Sequence, residues 1–154
     1  MKKKTWIIGG IVVLVLAITI GGLYAFKNTK VMMGSEVYSF PEPTMQITGS
    51  FYSQGQETAF TIGPEKYDPN DLSTIPVMSW FYALELTVCD EPEEAEGTES
   101  YTFKADGKDA FTYEDRGSEA YIIVSDTWYK VNNPSAPPID FSNVPSTENT
   151  EPDA

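Results

Sequence analysis

Histidine is absent from this chain, and cysteine occurs once, at Cys89. Without them no Ser-His or Cys-His catalytic pair and no Cys/His zinc site can be assembled, and an intramolecular disulfide lacks its second thiol. Cys89 ends the run "LELTVC" with no cation beside it in sequence to lower a thiol pKa. It reads as a small buried hydrophobe at a strand end, the alternatives being a reactive thiol or an intermolecular disulfide. Positive charge is scarce too. Ten Lys and Arg stand against 23 Asp and Glu, a formal charge of -13, which repels nucleic acid and anionic lipid head groups. Nucleic acid is therefore not an expected partner. The 41% apolar fraction is ordinary for a globular protein, and 154 residues leave room for one modest core plus appendages.

What the chain does have is a long uncharged run near its start. Residues 6–26 follow Lys2, Lys3 and Lys4 and contain no charge over 21 positions. As a helix at about 1.5 Å per residue the run is about 31 Å long, close to the thickness of a bilayer core. Trp6 and Tyr24 sit near its two ends, where aromatic rings favour the membrane interface. A cleaved secretory signal is the competing reading, but its apolar region is shorter and its cleavage site small-x-small, for which "AIT" and "LYA" are poor versions. All 23 acids lie after residue 30, where only Lys66, Lys104, Lys108, Arg116 and Lys130 oppose them, a net of -18. With the lysines inside, the expectation is a single-pass protein of the cell membrane, N-terminus cytoplasmic and acidic body extracellular.

The expected organisation is a cytoplasmic basic start (1–5), a transmembrane anchor (6–26), a tether ending in two prolines (27–43), an extracytoplasmic domain (44–139) and a disordered acidic tail (140–154). Within the domain, "TMQITGSFY" and "ETAFTIG" alternate around "SQGQ" as a hairpin. "DPNDLSTIPVMSWFYALEL" opens with capping residues, Asp71 or Ser73, and carries Pro76 where a first helical turn accepts it. On that helix Leu72, Ile75, Met78 or Trp80, and Tyr82 or Leu84 share a face. "LELTVC", "SYTFKA", "AFTYE", "AYIIVS" and a short "WYKV" follow as strands. The predicted class is α+β, an antiparallel sheet of about six strands covered by one helix.

Three stretches carry candidate chemistry. In "FTYEDRGSEAYIIV" Asp115 and Arg116 precede a turn glycine. Arg116, the sole arginine of an anionic domain, either pairs with Asp115, Glu119 or a tyrosine hydroxyl, or anchors a carboxylate, a phosphate or an acidic partner loop. Trp80, Phe81 and Tyr82 span about 200° of one helical turn, so they cannot all enter one core. Trp80 and Tyr82 join Arg116 and Asp115 as candidate partner-binding residues. "DEPEEAEGTE" holds six carboxylates in ten residues without the alternating ligands of a calcium loop, and reads as a solvated acidic loop. No metal, cofactor or catalytic residue is expected. The prolines of "NNPSAPPI" read as the end of sheet pairing, the alternative being an extended strip over the domain.

The runs "WFYALELTVCDEPEEAEGTESYTF", "AFTYEDRGSEAYIIV" and "NPSAPPI" resemble small, single-anchor exported proteins of Gram-positive bacteria, over residues 44–139. The resemblance implies the envelope location and carries no functional residue. The expected function is a membrane-tethered binding or accessory domain with an envelope protein or peptide as partner. The alternatives are a carboxylate-based envelope hydrolase working through acids such as Asp115 and Glu119, and a structural spacer.

Overall fold

Three two-residue turns frame the architecture. Gln54 and Gly55, Asp106 and Gly107, and Ser125 and Asp126 all have positive φ, the type I′ geometry whose twist matches the strands it joins. The computed structural model describes residues 30–142. Its strands are β1 (Val31–Met33), β2 (Ile47–Ser53), β3 (Gln56–Ile62), β4 (Glu85–Cys89), β5 (Glu99–Ala105), β6 (Lys108–Asp115), β7 (Ala120–Val124) and β8 (Thr127–Val131), with short helices α1 (Gly34–Val37) and α2 (Ile75–Tyr82). All eight strands form one sheet in the order β1-β4-β8-β7-β6-β5-β2-β3, antiparallel throughout. The class is α+β and mostly sheet.

The sheet exceeds the expected six strands for two local reasons. "WYKV", expected only as a short last strand, is β8 and sits inside the sheet between β4 and β7. The other addition comes from the segment expected as a tether, whose residues 31–33 form β1 against β4. Further along that segment Phe40 is 3% exposed, so the packed domain begins by Val31. The expected anchor, residues 6–26, lies outside the described residues, as do the basic start and all of the acidic tail after residue 142. Among the described residues no helix is long and apolar enough to cross a membrane.

Strands β5 to β8 make a meander, while β2 and β3 add to one side of it and β4 to the other. The chain must therefore travel from the β3 edge almost to the opposite edge before β4 begins. That journey carries α2 across the inner face, where Val77 and Phe81 are buried. Its capping residue is Thr74, not Asp71 or Ser73. Asp71 instead accepts the Ser73 amide at 2.9 Å in a tight local turn, which delays the helix and leaves Val77 and Phe81 as its buried face. Leu72 and Ile75, expected on that face, are 63% and 47% exposed.

Eight residues of helix extend about 12 Å, whereas eight strands at about 4.8 Å spacing make a sheet about 34 Å wide. Flanking segments complete the cover. Phe81 stacks on Phe111 at 4.2 Å between ring centroids, and Phe40 meets Phe81 edge-on at 5.9 Å. From the other end Pro137 is buried, and Phe141 packs on Phe51 at 5.2 Å. The proline segment thus runs over the domain as a strip beyond its role in ending β8, and Phe141 belongs to the packed unit. Close approach requires glycine at two points. A Cβ on Gly34 would lie 1.9 Å from the Phe81 carbonyl oxygen, and one on Gly49 would lie 2.6 Å from Cζ of Phe60.

If residues 38–40 are core, Phe40→Ala lowers unfolding free energy by about 3–5 kcal/mol, seen as a lower urea midpoint. A tether residue would leave that midpoint unchanged.

Candidate functional site

β4 and β5 run parallel with β8, β7 and β6 between them, so the return from Cys89 to Glu99 must cross a face of the sheet from one end of the strands to the other. Residues 90–98, most of the acidic stretch, make this passage, and Arg116 in the β6–β7 turn holds them down. Its Nη1 donates to the Glu93 carbonyl. Nε and Nη2 both donate to Oε2 of Glu114, at 3.2 and 2.8 Å. The guanidinium lies over Tyr121, 5.2 Å from the ring centroid, and 6.0 Å from that of Trp128. With 11% of its side chain exposed, Arg116 is committed to this crossing. Only arginine combines a planar fork with ring stacking, so the geometry uses all of its chemistry internally. The expected pairing with Asp115 or Glu119 is replaced by pairing with Glu114.

The other three candidates are also engaged within the chain. Asp115 accepts the Gly117 amide at 2.8 Å and shapes the turn. The Trp80 indole donates to the carbonyl and hydroxyl oxygens of Ser135 at 3.2 and 3.0 Å, and its ring meets Tyr113 edge-on at 5.3 Å. The Tyr82 hydroxyl accepts the Phe40 amide at 3.0 Å. Trp80 therefore clasps the C-terminal strip, and Tyr82 the segment ahead of β2. Phe81 between them enters the core, so the three aromatics divide their directions as helical spacing requires.

Glu119, weighed for hydrolysis with Asp115, accepts hydrogen bonds from Lys130 and from the Tyr121 hydroxyl. Those bonds, led by Lys130, hold its carboxyl below the usual carboxylate range, which suits an ion-pair partner and not a general acid. Burial pushes the Cys89 thiol up, away from the thiolate. Among the described residues no three acidic or thiol groups are grouped so as to hold a metal ion.

A groove of about 250 Å³ lies elsewhere, at the start of α2. One wall is residues 42–45, another is the loop from Pro64 to Leu72, and Thr74, Ile75 and Met78 form the floor. Of the seven exposed large apolar side chains among the described residues, Met45, Tyr67, Leu72 and Ile75 line this one groove. Such concentration separates a binding patch from scattered surface hydrophobes. Glu42, Asp68 and Asp71 are its charged lining residues. Asp68 accepts the Asn70 amide at 2.9 Å, and Asp71 is bonded to Ser73, so two of the three acids are fixed in place. None of Arg116, Asp115, Trp80 and Tyr82 lines the groove. Sequence reading missed it because Leu72 and Ile75 fit the expected buried face of the helix. Comparison with known proteins gives no match, whether to a protein-family model, a curated protein or a solved structure.

Two outcomes follow from these contacts. Arg116→Ala removes the clamp and leaves Glu114 without its counter-ion, at about 1–3 kcal/mol in stability, and makes residues 90–98 the first cut by a Glu-specific protease. Arg116→Lys does not restore protection, because a single ammonium cannot occupy the fork. The second outcome concerns Tyr113, whose phenol burial pushes up to about 12, with Asp115 adding to the shift. A phenol raised in the folded state contributes stability fully present below its ordinary pKa near 10, and loses it as pH rises from there through about 12. Tyr113→Phe accordingly flattens the alkaline fall of the urea midpoint between pH 10 and 12.

Proposed function

We propose that this protein is a membrane-tethered, extracytoplasmic binding module whose groove receives a short apolar, cationic segment of an envelope protein or peptide. The observation that carries this reading is the convergence of Met45, Tyr67, Leu72 and Ile75 behind an acidic rim of Glu42, Asp68 and Asp71. Apolar contact supplies affinity in such a site, while the rim selects charge and speeds encounter. The strongly negative body favours the same partner sign. Tethering rests on residues 6–26 as an anchor, which leaves the acidic domain outside. The carboxylates weighed for hydrolysis, Asp115 and Glu119, lie outside the groove and have hydrogen-bond partners of their own, which favours binding over catalysis.

Synthetic Leu/Lys and Leu/Glu peptides of equal apolar content test the site. The cationic peptide is expected to shift the methyl resonances of Met45, Leu72 and Ile75, with affinity falling as salt rises. The acidic peptide leaves those resonances in place, and Leu72→Asp removes the response to the cationic one. Equal shifts from both peptides, or shifts spread over the whole surface, would refute the groove as the binding site. Topology is checked independently. Protease added to intact protoplasts is expected to digest residues 31–154 while the anchor stays with the membrane.

A further inference from the structure

The two edges of the sheet are treated differently. β1 is three residues long, and the Glu36 carboxylate accepts its Met33 amide at 2.7 Å. Short, capped edges of this kind resist pairing with another chain. β3, the opposite edge among the described residues, has seven residues, Gln56–Ile62, and contains no proline or lysine. Its pairing with β2 is regular from Ser53↔Gln56 to Ile47↔Ile62, without a bulge. In a two-residue hairpin the closing pair, here Ser53 and Gln56, exchanges hydrogen bonds, and bonded pairs then alternate along the ladder. Gln56, Thr58, Phe60 and Ile62 therefore bond to β2, and the amide and carbonyl of Glu57, Ala59 and Thr61 point away from the sheet. All three residues are exposed. Charge is also withheld here. The hairpin 47–62 carries one charged residue, Glu57, in a chain that is 21% charged, and depletion of charge marks the core of an interface.

We infer that β3 is a homodimer edge, pairing antiparallel with β3 of a second copy about a two-fold axis at Ala59. The register follows from the outward groups. Ala59 opposite its symmetry mate and Glu57 opposite Thr61 of the second copy match every outward amide with an outward carbonyl. The same register keeps the two Glu57 carboxylates apart, faces each with a threonine, and sets Thr58 beside Phe60, a favourable cross-strand pair. A shift by one residue in the sum of paired positions would oppose outward groups to groups already bonded to β2. A second copy meets these requirements with no further sequence demanded of it. The two acidic bodies repel, so the dimer strengthens as salt screens them.

The test uses the full chain in detergent micelles with Cys89→Ser throughout. Antiparallel bonded pairs bring Cα atoms to about 5.5 Å, within disulfide reach. Ala59→Cys is expected to give a covalent dimer on oxidation, and Asp126→Cys, on the β7–β8 turn, to remain monomeric. Mixed Glu57→Cys and Thr61→Cys chains cross-link with each other, while each alone does not. In sedimentation, Ala59→Lys and Ala59→Glu are each expected to halve the particle's protein mass, and their equimolar mixture to restore it. A cooperative urea transition and a parent-like far-UV dichroism spectrum show that these variants fold, with any fall in midpoint reflecting the lost association. Cross-linking of Asp126→Cys equal to that of Ala59→Cys would overturn the inference, and so would a monomeric parent chain. A dimer that survives Ala59→Lys also overturns it, since association through the anchor would ignore that substitution.

Discussion

A helix of eight residues cannot cover a sheet of eight strands, and the rest of the architecture answers that mismatch. Uncovered, the inner face would expose Phe51, Phe60 and Tyr101 beyond the reach of α2. The chain closes the layer with irregular segments from both sides, residues 38–40 and 134–141, which are held by directed bonds as well as by apolar contact. Tyr82 receives the Phe40 amide and Trp80 donates to Ser135. Each bond satisfies a polar tip that would otherwise sit against an apolar layer, so the amphipathic aromatics do what phenylalanine could not. The helix thereby acts as a rivet through which two flanking straps are fastened.

Strand order imposes a second demand. Because β4 and β5 run parallel with three strands between them, nine residues must cross a face of the sheet, roughly 19 Å sideways at the spacing of a sheet. A segment crowded with carboxylates would be repelled by Glu114, whose cross-strand partner Tyr121 lies under Arg116 on that path. Arg116 resolves the conflict by neutralising Glu114 and binding the passing backbone through a carbonyl, which needs no particular side chain on the loop. The sole arginine of the chain is thus spent on topology, although its rarity in an anionic domain made it look like a ligand anchor.

Elements whose signals are local were legible in the sequence. The alternation of β2, β3, β5, β6 and β7 and the glycine turns at 55, 107 and 117 depend on period and on positive φ, both written in neighbouring residues. Three features depend on partners far along the chain and could not be read. "VMM" has no strand period of its own and becomes β1 only because β4 offers an edge. Phe40 stands just before the prolines of an apparent tether, yet its burial depends on Phe81, 41 positions later. The prolines of residues 132–139 suit both the end of a sheet and an extended strip, and the space under Trp80 and beside Phe51 that selects the strip exists only in the assembled fold. The groove was hidden by the same kind of error. Leu72 and Ile75 match a helical period, and the tight turn at Asp71 removes Leu72 from the helix and turns the face.

The groove and the β3 edge are neighbours by construction, since the loop from Pro64 begins two residues after Ile62. In the antiparallel pairing the two-fold axis stands perpendicular to the sheet, so both inner faces, and both α2 helices, lie on the same side. The grooves then open beside opposite ends of the paired strands, about 24 Å apart for seven residues at strand rise. A ligand or membrane array that presents two cationic segments at that spacing would engage both sites. The second contact is then intramolecular and gains from effective concentration without any new interaction. If β3 pairs and the groove binds as proposed, the charge-poor hairpin and the acid-rimmed pocket beside it would act together, the first bringing two copies of the second to one ligand.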